Sequence, residues 1–206
     1  KFINIALQRV VWIIVPPEKF AIMGMTEMDK VCVAEQYGRG LIQDFLSSQA
    51  SSNGIWLVAG TIPIQSTEKN KVYSTCLLFN DSGDVVSRYD KIHLFDVTLE
   101  ESEESYTESE TITSGDEVVV ADTPFGRLGL AICYDLRFPE MFRAMADVGV
   151  DIFVLSSACT SLTGKAHWET LIRARAIENL SYMVAAAQGG YHVNGRETHG
   201  DSMIVD

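Results

Sequence analysis

The stretch GLAICYDLRFPEMFR, residues 129–143, decides how the chain is read. Its first half continues the apolar run LGLAIC (128–133), the pattern of a buried strand. Polarity changes immediately after Cys133, and Phe138-Pro139-Glu140 opens a helix, because proline suits the first helical turn. Cys133 therefore sits where a strand turns into a helix. A cysteine at the end of an apolar strand is more often a small buried hydrophobe than a reactive group. Tyr134, Asp135 and Arg137 shift the balance, because they set polar groups and backbone N–H donors beside the sulfur. Such surroundings lower a thiol pKa. The placement follows the logic of a nucleophile elbow, although the motif GxSxG is absent.

Outward from this joint, strand-like and helix-like runs alternate. FINIAL (2–7), VVWIIV (10–15) and WLVAGTIPI (56–64) read as strands. VYSTCLLF (72–79) and VVSRY (85–89) flank the turn residues 80–84 and form a hairpin. VVVAD (118–122) and LGLAIC (128–133) form a second one. A helix is expected over 34–50, with Leu41, Ile42, Phe45 and Leu46 at helical spacing, and others over about 138–148 and 166–179. DIFVLS (151–156) and MVAAA (183–187) complete the strands. Hairpins mixed with βαβ units indicate an α/β layered sandwich with a mixed sheet, in one domain over 1–206. Two junctions look abrupt. FINIALQ meets VVWIIV across little more than Gln8-Arg9, a poor turn pair, whereas a parallel return takes roughly a dozen residues. Residues are therefore expected to be missing between Gln8 and Val10, and again after Asp206, where MIVD cuts a strand short.

Bulk properties narrow the function. With 206 residues, 47% of them hydrophobic, the chain can bury a sizeable core. A net charge of −12 argues against a nucleic-acid partner. No apolar run reaches the roughly 18 residues of a membrane span. The cysteines Cys32, Cys76, Cys133 and Cys159 are scattered, without CxxC or a histidine at metal-ligand spacing, so no metal site is expected. Reduced thiols point to a cytoplasmic setting. Residues 96–117 hold nine acidic side chains and no basic one, which reads as a solvated, mobile loop.

A nucleophile needs a base. His93, His167, His192 and His199 are all possible partners in a Cys–His pair, and no local context selects one of them. Glu18 follows VPP at the end of a buried-looking strand, where α/β sheets place their sites. Lys91 follows the strand VVSRY. Taken alone, Glu18 is better read as a surface glutamate at a strand end, and Lys91 reads as an ordinary exposed lysine.

VPPEKF (15–20), YDKIHLFDV (89–97), ESYTESETITSGD (104–116), GLAICYDLRFPE (129–140) and GKAHWETLIRARAIEN (164–179) occur in this order. Together they resemble the nitrilase superfamily of carbon–nitrogen hydrolases over nearly the whole chain. Within it the chain is most similar to the deaminated-glutathione amidases, a preference carried by VAAAQGGYH (184–192) and GRETHGDSMIVD (195–206). The omega-amidases, which act on 2-oxoglutaramate, come second. The resemblance implies a four-layer αββα sandwich, with layers brought together by dimerisation into a homodimer. It implies a Glu-Lys-Cys amidase with Glu18 as general base, Lys91 as the lysine and Cys133 as the nucleophile. A second glutamate matches Glu108, and the backbone N–H of Tyr134 joins Lys91 in stabilising the oxyanion. No metal or organic cofactor is implied. The expected substrate is a small amide bearing a carboxylate, with Arg173 or Arg175 as candidates to meet that carboxylate. Two other classes stand beside this one: a papain-type hydrolase using His199 or His167, and a non-catalytic binding protein of the same fold. The family also carries a helix between its first two strands, where this chain has only Gln8-Arg9, and continues beyond MIVD.

Overall fold

The computed structural model describes residues 11–99 and 104–206. The expected strand FINIAL and the junction between Gln8 and Val10 lie outside the described residues. The first sheet comprises β1 (Ile13–Ile14), β2 (Trp56–Gln65), β3 (Val72–Phe79) and β4 (Val85–Asp90), in that order. Strand β1 pairs parallel to β2, and β2–β3 and β3–β4 are antiparallel. Of the expected VVWIIV strand, Ile13 and Ile14 are the residues in the sheet among those described. After the small hairpin β5 (Asp96–Leu99) and β6 (Glu104–Thr107) comes a second sheet. It contains β7 (Val120–Thr123), β8 (Gly126–Ile132), β9 (Ile152–Ser157), β10 (Tyr182–Ala187) and β13 (Met203–Val205), ordered β13-β10-β9-β8-β7. Its centre β8-β9-β10 is parallel and both edges are antiparallel. A last short hairpin joins β11 (Gly189–Tyr191) to β12 (Glu197–His199).

Strand alternation distributes the apolar side chains between layers. Val58, Cys76 and Leu78 of the first sheet pack in one core with Leu130, Ile132 and Val154 of the second. The alternate residues Leu57, Ala59, Leu77 and Phe79 meet Leu46 and Ala50 of a helix on the other face. On the far side, the second sheet packs against helices that carry Phe142, Trp168 and Ile172. Helix, sheet, sheet and helix are therefore stacked as an αββα sandwich within one chain. The helices are the short α1 (Asp29–Cys32), then α2 (Leu41–Asn53), α3 (Pro139–Asp147) and α4 (Ser161–Asn179).

Three elements differ from the sequence reading. The helix expected over 34–50 begins only at Leu41, because Glu35 belongs to the sheet edge. Glu35 N–H donates to Pro63 O and its own carbonyl accepts from Gln65 N–H. Its carboxylate turns to cap α2, accepting from the N–H groups of Ile42 and Gln43 at 2.6 and 3.2 Å. Gly40 makes room for this cap, since a Cβ there would lie 2.2 Å from the Glu35 carboxyl carbon. The buried side of α2 is consequently Gln43, Leu46 and Ala50, leaving Leu41 and Phe45 exposed. Helix α4 starts earlier than expected, because the Thr160 side chain accepts from Thr163 N–H at its N-terminus. Within the acidic stretch read as a loop, residues 96–99 and 104–110 instead form β5, β6 and a 3-10 turn over Glu108–Glu110.

Candidate active site

The strand β8 ends at Ile132, and Cys133 begins a 3-10 turn that runs to Arg137. Its backbone has φ +45°, in the left-handed region that costs an L-residue about 1 kcal/mol or more. Asp135 holds the turn in place. Its buried carboxylate accepts from Ile132 N–H at 2.8 Å, Tyr89 O–H at 2.6 Å and His93 N–H at 3.1 Å. The conformation points polar groups and the sulfur into one cavity, of about 320 Å³, rather than letting the strand continue.

Glu18 reaches the same cavity from the segment after β1. Gly60 of β2 admits that segment, because a Cβ there would sit 2.2 Å from Pro17 O. Thr61 Oγ1 then donates to Glu18 O at 2.7 Å. The Glu18 side chain is buried, with Oε1 accepting from Lys91 Nζ at 3.0 Å and Oε2 accepting from Ala158 N–H at 2.9 Å. Lys91, immediately after β4, is 1% exposed. Its ammonium also donates to both carboxylate oxygens of Glu108, at 3.0 and 2.9 Å. Glu108 is fixed in turn by Phe95 N–H at 2.8 Å. Burial alone pushes Lys91 down, but the charges of Glu108 and Glu18 outweigh it and hold Lys91 well above its usual pKa. Burial likewise pushes Glu108 up, and Lys91 overrides it to hold that carboxyl at about 2.

Cys133 Sγ accepts from Ser157 Oγ at 3.2 Å and lies 3.9 Å from Cys159 Sγ. The hydrogen bond shared with Cys159, then burial, pushes the Cys133 thiol well above its usual pKa, against the pull of the Lys91 charge. This overturns the expectation of a lowered thiol pKa: the neighbouring sulfur and the carboxylate of Glu18 act against the charge that the turn favours. A thiol held protonated becomes a nucleophile only when a base removes its proton.

The remaining sequence candidates divide clearly. Tyr134 lines the cavity, its ring edge-on to Phe95 at 5.1 Å. His167 also lines it but is hydrogen-bonded to Arg137 at 3.1 Å. His199 is not a lining residue, and its backbone N–H donates to Cys159 O. Among the described residues, the partners of the Cys133 sulfur are Ser157 and Cys159, and neither is a histidine. Arg173 and Arg175 do not line the cavity. Arg173 pairs with Glu169 on the exposed side of α4, and Arg175 is spent on Leu136 O and Glu178. The cations that line it are Lys19, Lys91, Arg137 and Arg196. Lys19 and Arg137 sit one and four residues from Glu18 and Cys133, a proximity that could have flagged them. Arg196 lies in the β11–β12 turn and carries no such signal.

Comparison with known proteins agrees with this architecture. The family model described as carbon-nitrogen hydrolase matches residues 1–206. A deaminated glutathione amidase of Yersinia enterocolitica is 45% identical over 174 residues, covering 84% of this chain and 61% of that relative. The Caenorhabditis elegans NitFhit crystal structure superposes with a TM-score of 0.87 at 36% identity, covering 99% of this chain and 50% of that one. Saccharomyces cerevisiae Nit3, described as a member of branch 10 of the nitrilase superfamily, gives 0.86 at 31% identity, covering 100% and 73%. The chain thus spans less than two thirds of the Yersinia relative's length. Among the described residues no helix is long and apolar enough to cross a membrane.

The depressed Glu108 carboxyl has a consequence for acid stability. Its folded pKa lies below the ordinary 4.5, so its contribution is complete above that value and is lost as pH falls toward about 2. Urea titrations between these limits are expected to show a shallower loss of stability with acidification in Glu108→Gln than in the parent protein. Identical slopes would contradict the assignment.

Proposed function

This chain belongs to the carbon–nitrogen hydrolase family, and from that membership we propose that it is a cysteine-dependent amidase whose acyl carrier is Cys133. One observation carries the proposal. The buried carboxylate of Glu18 lines the cavity of Cys133, with each oxygen already oriented, one by Lys91 and one by the Ala158 N–H.

Amides are poor electrophiles, and a covalent route divides their hydrolysis into two easier steps. Glu18 takes the Cys133 proton as the sulfur attacks the amide carbonyl. A carbon–sulfur bond forms and the carbonyl oxygen becomes an oxyanion. Lys91 and the Tyr134 backbone N–H stabilise that charge, and loss of one such donor typically costs about 100-fold or more in rate. Collapse of the intermediate breaks the carbon–nitrogen bond. Glu18 delivers its proton to the departing nitrogen, since an unprotonated amine leaves badly. Water then enters, loses a proton to Glu18 and cleaves the thioester, which restores the thiol. Glu108 positions Lys91 throughout. The hydrogen bond shared with Cys159, then burial, holds the Cys133 thiol above its usual pKa, which gives the base its role at the first step.

The substrate in this reading is a small carboxylate-bearing amide, deaminated glutathione, because relatives carrying that name align with most of this chain. A cavity of about 320 Å³ suits a molecule of that class. The test is release of 2-oxoglutarate from deaminated glutathione and from 2-oxoglutaramate, with Cys133→Ala as control. The expected result is faster release from the first, falling at least about 1,000-fold in the variant. Preference for 2-oxoglutaramate would reassign the substrate, and release that survives in Cys133→Ala would refute the mechanism.

A further inference from the structure

Of the cations that line the cavity and that the amidase chemistry leaves unused, Arg137 is engaged by His167, which leaves Lys19 and Arg196. Arg196 projects from the β11–β12 turn. One guanidinium nitrogen donates to Ala158 O at 2.9 Å, and the group lies over the Tyr106 ring at 5.1 Å. Its Nε is buried and has no hydrogen-bond partner. Lys19 lines the same cavity, and no ion pair or side-chain hydrogen bond to its ammonium is found among the described residues. Burial, then the Arg196 charge, hold Lys19 below its usual pKa, against the pull of Glu18 and Glu27. The Glu27 carboxylate is itself paired with Lys30, and Glu18 and Glu108 are paired with Lys91. Two cations sharing a partly desolvated wall repel each other, and the arrangement is relieved when an anion enters between them.

We propose that Lys19 and Arg196 form a clamp for a carboxylate on the leaving-amine side of the substrate. The side follows from geometry. Arg196 grips the carbonyl of Ala158, whose N–H orients Glu18, and Lys19 is the next residue after Glu18. Glu18 protonates the departing nitrogen, so groups flanking it meet the amine portion. This assignment rests on the amidase reading and specifies its substrate class: amides whose amine portion ends in a carboxylate, matched by the planar guanidinium and the ammonium.

The test separates the clamp from the reaction by measuring binding without turnover. Cys133→Ala protein is titrated calorimetrically with N-glutarylglycine and with its C-terminal carboxamide. The acid is expected to bind about 10- to 100-fold more tightly, and Arg196→Gln or Lys19→Gln added to that background should each erase most of the difference. Equal affinities, no binding of either compound, or a preference that survives both substitutions would overturn the clamp. Failure of the parent protein to hydrolyse deaminated glutathione would count against the amidase reading alone.

A separate observation concerns the second sulfur. Cys159 lines the cavity 3.9 Å from Cys133, and Ser157 Oγ lies 3.2 and 3.0 Å from the two sulfurs. No step of amide cleavage uses Cys159. We infer that the two cysteines form a reversible disulfide when the protein meets hydrogen peroxide. The Cys159 sulfur attacks peroxide, an S–O bond forms, the O–O bond breaks and hydroxide leaves. Cys133, its proton taken by Glu18, then attacks the Cys159 sulfur. An S–S bond forms, the S–O bond breaks, and the hydroxide leaves as water. Two thiols have then given up two electrons and two protons, and peroxide has become two waters. The sulfurs close by about 2 Å to reach bonding distance. The disulfide shelters Cys133 from irreversible over-oxidation.

Peroxide treatment of the parent protein is expected to remove the mass of two hydrogen atoms and to yield a peptide pair linked through Cys133 and Cys159. Dithiothreitol should then restore alkylation of Cys133. In Cys159→Ala the same treatment should add oxygen atoms to Cys133, and reduction should recover at most about a tenth of the parent's labelling. Oxygen addition without a linked peptide in the parent, or equal recovery in the variant, would refute the pair.

Discussion

The buried ammonium of Lys91 is the interaction on which the site depends. An isolated charge at that depth would be neutralised or forced out. It stays because two carboxylates from distant parts of the chain meet it, Glu18 after the first paired strand and Glu108 after the acidic hairpin. The same three groups therefore join the first sheet, the hairpin and the loop that follows β9, where Ala158 holds the second Glu18 oxygen. A carboxylate left without the ammonium would be a buried, uncompensated charge, a situation that costs about 3–5 kcal/mol in comparable pairs.

The second constraint is the elbow. Cys133 occupies a left-handed backbone conformation at the end of an apolar strand, which is costly for a cysteine unless the surroundings enforce it. Asp135 does so by accepting hydrogen bonds from the strand end, from Tyr89 of β4 and from the His93 backbone. Tyr89 is two residues before Lys91, so the network that sets the sulfur also fixes the strand that delivers the lysine. The resulting surroundings raise the thiol pKa rather than lower it. In the proposed mechanism this environment leaves activation of Cys133 to a neighbouring base.

Much of this was legible in the sequence because it is local. The strand-to-helix change around Cys133, the two hairpins and the proline-led helix α3 follow from apolar spacing and turn chemistry. Glu18, Lys91, Glu108 and Cys133 were found through motif order, and the folded chain brings them to one cavity. What the sequence hid is non-local. Nothing in AEQYGRG (34–40) shows that Glu35 will be drawn to the sheet edge and delay a helix. Nothing in RETH (196–199) places Arg196 beside Glu18, since the two are joined only through Ala158. The arginines of α4 misled for a different reason: Arg173 lies on the exposed side with Glu169, while Arg175, on another face, is buried against Leu136 O and Glu178.

The central claim is that Glu18 removes the Cys133 proton so that an acyl group can be carried on the sulfur. The most direct measurement is intact-protein mass after rapid acid quenching of the enzyme mixed with deaminated glutathione. The account predicts a covalent acyl adduct on Cys133 in the parent protein, formed about 100-fold or more slowly in Glu18→Gln. Turnover with no adduct at Cys133, or acylation at an unchanged rate in Glu18→Gln, would contradict it.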